Sequence, residues 1–214
     1  TKLDALAEDR SVIVQAEFKA PVSEFVGTFG MPNLGKLNTI INLPVYAEDA
    51  KVSVNTQERN GETVPVGVHF ENKDSDFKND YRFMTAEIVN EKLKAVKFKG
   101  VKWGVEIVPT NAAIQKLKFQ ASAHSDATTF STKTENGDLK IFFGDHSSHA
   151  GNFTFAAGIS GSLSKSWSWP VQQVIGILNL PGDKTLKISD EGAAMITVDS
   201  GLIDYNYIIP AQTK

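Results

Sequence analysis

The stretch Ile177–Ser189, "ILNLPGDKTLKIS", decides the fold because the chain contains a near-copy of it. Residues Ile40–Val54 read "IINLPVYAEDAKVSV": an apolar segment, then Asn-Leu-Pro, then a lysine-bearing, strand-like run. A second mark follows each copy, "DYRFM" at Asp80–Met84 and "DYNYI" at Asp204–Ile208. The same two landmarks in the same order point to an internal repeat. A repeat of roughly a hundred residues is too long for a solenoid unit, so tandem domains of one fold are expected. The division falls at residues 1–100 and 101–214.

Around the second copy the local signals are strong. "WPVQQVIGILNL" places Val171, Val174, Ile175 and Leu178 at i, i+3, i+4 and i+7 behind Pro170, the pattern of an amphipathic helix. "PTNAAIQKLKFQASAHS" predicts another, with Thr110 as N-cap and Ile114, Leu117 and Ala121 as its inner stripe. Gln115, Lys116 and Ala123 fall on its outer side. So does Phe119, an apolar residue with no local reason to be there. "TTFSTKTENGDLKIFFG" reads as a hairpin turning at Asn136-Gly137. "KWGVEIV", "NFTFAAGIS", "KTLKIS", "AMITVD" and "LIDYNYIIP" read as strands.

Around the first copy, "MPNLGKLNTIINL" predicts a short helix with Pro32 in its first turn. Leu34, Leu37 and Ile41 recur there at helical spacing, with Ile40 beside them and Pro44 as the stop. "SVIVQAEF", "AKVSVNTQ", "VPVGVHFEN" and "YRFMTAEIV" read as strands, and "LDALAED" as a short helix. The expected class is α+β: antiparallel sheets with short helices on one face.

Composition narrows the function classes. The 214 residues carry 22 Lys+Arg against 25 Asp+Glu, a net charge of −3 shared between both halves, so neither half is a basic arm or an acidic tail. With no cysteine, disulfides, thiol nucleophiles and cysteine-bound zinc are excluded. Nothing reads as a signal peptide, and no apolar run approaches the roughly 20 residues of a membrane span. A soluble, cytoplasmic protein is expected, in the host cytoplasm if viral. The first residue is Thr1, not Met, which suggests a processed or partial chain.

Catalytic signals are weak. Gly35-Lys36 is followed by Leu37, so no phosphate loop is present, and no Gly-x-Ser-x-Gly elbow occurs. Asp145, His146 and His149 have metal-ligand spacing but lie among Gly and Ser without a third histidine, so a polar loop is expected and no metal or other cofactor. Trp103, Trp167 and Trp169 are expected in core or interface positions. No enzyme is expected.

The order of these pieces resembles the DNA polymerase sliding clamps, closest to the two-domain phage clamps and the proliferating-cell nuclear antigens. "ALAEDRSVIVQAEF" and "NLGKLNTII" are similar to parts of a first clamp domain. "NAAIQKLKF", "NGDLKIFFG", "WPVQQVIGILNLPGDKTLKIS" and "DYNYIIPA" are similar, in order, to pieces of a second. One departure is that a clamp domain opens with a strand and helix, and the first half offers at most "TKLDALAED".

The resemblance implies a head-to-tail homotrimeric ring around duplex DNA, put in place by an ATP-driven loader and tethering a polymerase without chemistry of its own. It implies DNA-facing residues on the short helices: Lys36, Asn38, Thr39, Lys116, Lys118, Gln172 and Gln173, with Lys165 just before the last helix. It implies a pocket for a partner's peptide, beside the connector and the C-terminal tail, formed by Pro181, Tyr207, Ile209 and Pro210. The lysines at 92, 94, 97, 99 and 102 fall on that connector. The rival reading is a viral structural protein built from duplicated β domains.

Overall fold

The chain opens with a hairpin, β1 (Lys2–Leu6) against β2 (Ile13–Phe18), where a short helix was expected. Seven residues are too few for a self-supporting helix. Pairing lets Leu3 and Ala5 face Ala16 and Val14 across the strands, and that partner outweighs the helical preference of Leu, Ala and Glu. The turn closes through Arg10, at φ 57°, and through Asp9, which accepts the Ser11 amide at 2.9 Å. The computed structural model describes residues 1–59, 61–93, 98–145 and 149–212.

The chain forms two units: Pro21–Lys97, and Thr1–Ala20 together with Phe98–Lys214. In the first, helix α1 (Leu34–Ile41) is capped by Asn33, whose side chain accepts the Lys36 amide, and a 3-10 turn (Pro44–Tyr46) follows. Strands β3 (Lys51–Arg59), β4 (Glu62–Glu71) and β5 (Lys78–Arg82) form an antiparallel sheet in that order. Its core is Ile40, Tyr46, Phe70, Tyr81 and Phe83, with Phe29 stacked on Phe83 at 4.4 Å. The helical stripe is corrected here: Ile40 is buried and Leu37 half-buried, whereas Leu34 and Ile41 are exposed. The expected strand "YRFMTAEIV" is also corrected, since it is β5 followed by helix α2 (Ala86–Leu93). Ala, Glu, Lys and Leu favour that helix, and its first bond runs from the Val89 amide to the Thr85 carbonyl.

The larger unit holds two sheets. Strand β6 (Val105–Ile107) leads to helix α3 (Asn111–Ala123), capped by Thr110 as expected. Strands β7 (Thr129–Glu135) and β8 (Asp138–Phe143) turn at Asn136 and Gly137, both left-handed at φ 54° and 82°. Strands β9 (Gly151–Ala156) and β10 (Ser168–Pro170) complete a sheet ordered β10-β7-β8-β9. Helix α4 (Val171–Leu178) then leads through Asn-Leu-Pro into β11 (Asp183–Ser189), β12 (Ala193–Asp199) and β13 (Ile203–Pro210). The second sheet runs β1-β2-β13-β12-β11-β6, so the N-terminal hairpin extends the C-terminal strands.

Alternation sorts this sheet. Leu186, Ile188, Ala194, Ile196, Val198 and Ile209 face a core shared with Leu117 of α3 and Val171, Val174, Ile177 and Leu178 of α4. Of the expected α4 stripe only Ile175 is less than fully buried, because Ile177 takes the inner position. The helix termini agree with the repeat: Asn42 and Asn179, the first residues of the two Asn-Leu-Pro marks, are the C-caps of α1 and α4. Among the described residues no helix is long and apolar enough to cross a membrane.

Candidate functional site

Burial of Ala113, Ile114 and Leu117 fixes the rotation of α3, leaving Gln115, Lys116 and Phe119 exposed and Lys118 half-buried at the stripe's edge. Burial of Val171, Val174, Ile177 and Leu178 does the same for α4, with Gln172 exposed and Gln173 half-buried. The two helices pack together, so Lys116, Lys118, Gln172 and Gln173 belong to one helical layer. In the other unit Lys36, Asn38 and Thr39 are exposed on α1. The Thr39 hydroxyl donates to the Gly35 carbonyl at 3.0 Å, and the Asn42 side-chain amide donates to the Asn38 carbonyl at 2.7 Å and to the Asn38 side-chain Oδ1 at 3.1 Å. These two polar residues are thus partly committed to their own helix.

The lysines differ. Lys19, Lys51, Lys73, Lys78, Lys140 and Lys187 sit in ion pairs, whereas Lys36, Lys116 and Lys118 enter none among the described residues. Helix lysines without a carboxylate partner keep their charge available for phosphate. Lys165 is placed elsewhere, at the β11–β12 turn. Its amide donates to the Asp190 carboxylate at 2.9 Å and its Nζ lies 5.7 Å from the Trp167 ring centre. Burial works to raise the Asp190 pKa. The Ser164 and Lys165 amides and the Ser164 hydroxyl outweigh it and hold the carboxyl below its usual range.

That turn is also where the connector meets the C-terminal tail. The Lys102 amide donates to Glu191 at 2.8 Å, the Ser189 hydroxyl to the Lys102 carbonyl at 2.7 Å, and the Gly104 amide to the Ile188 carbonyl at 2.9 Å. From the tail, the Ala211 amide donates to Gly192 and the Gln212 amide to Ser168, both at 2.9 Å. Gly192 has φ 83°, and a Cβ there would stand 3.4 Å from the Trp167 indole. Trp167 donates from Nε1 to the Asp190 carbonyl at 2.9 Å, closing the corner.

The four expected pocket residues do not converge. Pro210 pairs with Ala193, at the connector end of β12. Tyr207 is half-buried three residues earlier and stacks on Tyr205 at 6.1 Å; burial first, then Tyr205, raises its pKa. Ile209 is fully buried and turned into the core. Pro181 precedes Gly182, whose neighbour across the sheet is Asp199, at the far end of β12. Seven residues of strand separate the two ends, roughly 20 Å at about 3.3 Å per residue. Trp167, Glu191 and Gly192, and not Pro181, lie at the connector–tail corner. A left-handed Gly after Asp-Glu was the signal available for that turn.

Of the other residues singled out, Trp169 is core, its Nε1 donating to Thr132 at 2.9 Å. Trp103 lies beside Phe98, with ring centres 6.3 Å apart and tilted by 33°. Lys92 ends α2, and Lys99 and Lys102 precede β6; Lys94 and Lys97 lie outside the described residues, as does His146. Among the described residues no cluster of His, Asp and Glu is arranged to hold a metal ion. A charged group of a different kind lies on β4 and β5. The Ser75 hydroxyl, then Lys78 and Lys51, lower the Glu71 pKa to about 2, and His69 lies 2.8 Å from Asp80.

No family model matches the chain, and no curated protein matches it in sequence. In three dimensions it is similar to the PCNA of Thermococcus kodakaraensis, with a TM-score of 0.67 and 10% sequence identity, over 99% of this chain and 86% of that one. The chain therefore has the PCNA-like clamp fold that the sequence resemblance implied.

Proposed function

We propose that the chain is a processivity clamp, a homotrimeric ring around duplex DNA that tethers a replicative polymerase by topology. The observation that carries this reading is the PCNA-like fold over 99% of the chain. The unpaired helix lysines Lys36, Lys116 and Lys118 agree with it. The clamp repeat divides at residues 1–100 and 101–214, with β2 of the first domain lent to the sheet of the second. The ring is of the phage type and works in the host cytoplasm, with an ATP-driven loader as a separate partner and no chemistry of its own.

The mechanism needs little affinity. A closed ring cannot leave a closed circle, so the helices need only phosphate contacts, which hold DNA without reading sequence. Few lysines suffice, and an overall charge of −3 is compatible with a mildly basic bore and an acidic exterior. Gln172 and Gln173 supply uncharged contacts that let the ring slide. A polymerase peptide docks at the corner where connector and tail meet, beside Trp167 and Pro210.

Retention on DNA tests this. With a loader and polymerase from one source, the protein should remain on nicked circular DNA through gel filtration and be lost once the circle is cut. Equal loss from circle and line, with no gain in polymerase run length, would return the protein to the viral structural class.

A further inference from the structure

The turn between β11 and β12, Ser189-Asp190-Glu191-Gly192, is bonded to the connector, to a loop and to the tail. Glu191 accepts the Lys102 amide at 2.8 Å, and the buried Ser189 hydroxyl donates to the Lys102 carbonyl at 2.7 Å. Both polar main-chain groups of one connector residue are thereby held. Asp190 accepts the Ser164 and Lys165 amides, each at 2.9 Å, and the Ser164 hydroxyl at 2.8 Å. Those bonds fix the loop that leads into Trp167. In the tail, the Ala211 amide donates to the Gly192 carbonyl at 2.9 Å.

The repeat shows that a strand pair of this kind does not by itself require such a junction. The equivalent turn of the first copy joins β3 to β4, the two strands that follow the first Asn-Leu-Pro. Among the described residues around it, the side-chain hydrogen bonds stay inside the hairpin, from Thr63 to Glu58 and from Arg59 to Gln57.

In the second copy the two carboxylates hold different walls of the corner. Each grips main-chain amides, so each fixes a path of the chain and not one rotamer. A carboxylate suits this place because both of its oxygens accept and it brings no N–H to oppose an amide. Its charge strengthens the bonds. On the connector, Gly104 is tied as well, its amide donating to the Ile188 carbonyl at 2.9 Å. Trp103 therefore sits between two anchored residues.

We propose that Asp190 and Glu191 are positioning residues for partner docking: Asp190 sets the Trp167 wall of the corner, Glu191 sets the connector wall, and neither touches the partner. The proposal rests on the reading of this corner as the docking place of a polymerase. Walls fixed before binding leave less chain to be ordered by it, which raises affinity without new contacts.

A polymerase titration tests this. With loader and polymerase from one source, polymerase is added to a fixed amount of the protein on primed circular DNA, and run length is read. Asp190→Ala and Glu191→Ala should each raise the polymerase concentration for half-maximal run length roughly tenfold, with the plateau kept. Glu191→Gln retains the acceptor oxygen and should restore the wild-type value. Leu202→Glu, beyond the far end of β12, should change nothing. Fluorescence separates the two arms. Asp190→Ala should shift the emission assigned to Trp167, and Glu191→Ala that assigned to Trp103, read against Trp167→Phe and Trp103→Phe.

An unchanged half-point for either alanine variant overturns the proposal. So does a Glu191→Gln variant as weak as Glu191→Ala, which would set the charge itself against the partner. A shift of both tryptophans by each alanine variant also overturns it, since the turn would then have unfolded as a whole. If the wild type stimulates polymerase and stays on circular DNA while the variants match it, the clamp reading stands and only the positioning role falls. A wild type that neither stimulates polymerase nor stays on circles sinks both.

Discussion

The indole Nε1–H of Trp169 donates to the Thr132 hydroxyl at 2.9 Å, and both side chains are buried, at 1% and 2% exposure. The pair ties β10, just ahead of α4, to the central strand β7 within an otherwise apolar core. Thr132→Val keeps the shape and removes the acceptor. It should cost about 1–3 kcal/mol in urea unfolding, the penalty of an unpaired buried donor. A cost near zero would mean that the indole finds another acceptor.

Leu117 of α3 is fully buried and borders a small apolar void of about 20 Å³ between helices and sheet. Leu117→Ala enlarges a space already imperfectly filled, so a loss of about 2–5 kcal/mol is expected. Phe119→Ala, two residues along the same helix and exposed, should cost under about 0.5 kcal/mol in the isolated chain. Similar losses for the two would contradict a rotation of α3 that turns Leu117 inward and Phe119 outward.

Glu71 supplies an acid-side dependence. Its pKa falls from the ordinary 4.5 to about 2 on folding, through Ser75 first and then Lys78 and Lys51. A depressed carboxylate contributes stability that is present above the unfolded value and lost as pH falls through the folded one. The window is therefore about pH 4.5 down to 2. Glu71→Gln should flatten the melting temperature across that window relative to wild type. An unchanged slope would assign acid sensitivity to other carboxylates, such as Asp199 beside Lys19.

Lys116 and Lys187 make an informative pair. Lys116 is unpaired on the helical layer, whereas Lys187 is bound to Glu106 at 3.2 Å on the opposite face of its sheet. Lys116→Gln should weaken duplex binding equally for all sequences. It should also reduce the slope of log K against log salt by about 0.9 for each phosphate that the lysine neutralises. Lys187→Gln should alter neither. Equal effects would indicate diffuse charge in place of a DNA-facing layer.

Gly192 tests the connector–tail corner. At φ 83°, with Trp167 at 3.4 Å from any Cβ, Gly192→Ala should destabilise the turn by about 1 kcal/mol or more. It should also shift the fluorescence attributable to Trp167, read against a Trp167→Phe background. A polymerase peptide should bind this variant more weakly than wild type. Unchanged affinity would move the docking site elsewhere.

Where structure followed from short-range chemistry, the sequence alone determined it. Thr110 caps α3, Asn136-Gly137 turns β7 into β8, and Pro170 with its apolar spacing starts α4. Each rests on backbone conformations and spacings within a few residues. The repeated Asn-Leu-Pro and Asp-Tyr marks carried the tandem architecture for the same reason, since equivalent helix ends and strands need equivalent local residues. The rest was decided by partners remote in sequence. Leu3 and Ala5 became strand because β2 lies beside them, and β2 in turn pairs with β13 nearly two hundred residues away. Leu34 and Ile41 share a helical stripe with Leu37, but the unit's core reaches only Ile40 and part of Leu37. Pro181 and Pro210 read as neighbours in one pocket, yet β12 holds them at opposite ends of the sheet. Periodicity tells which residues share a face; only the packed chain decides what, if anything, that face meets.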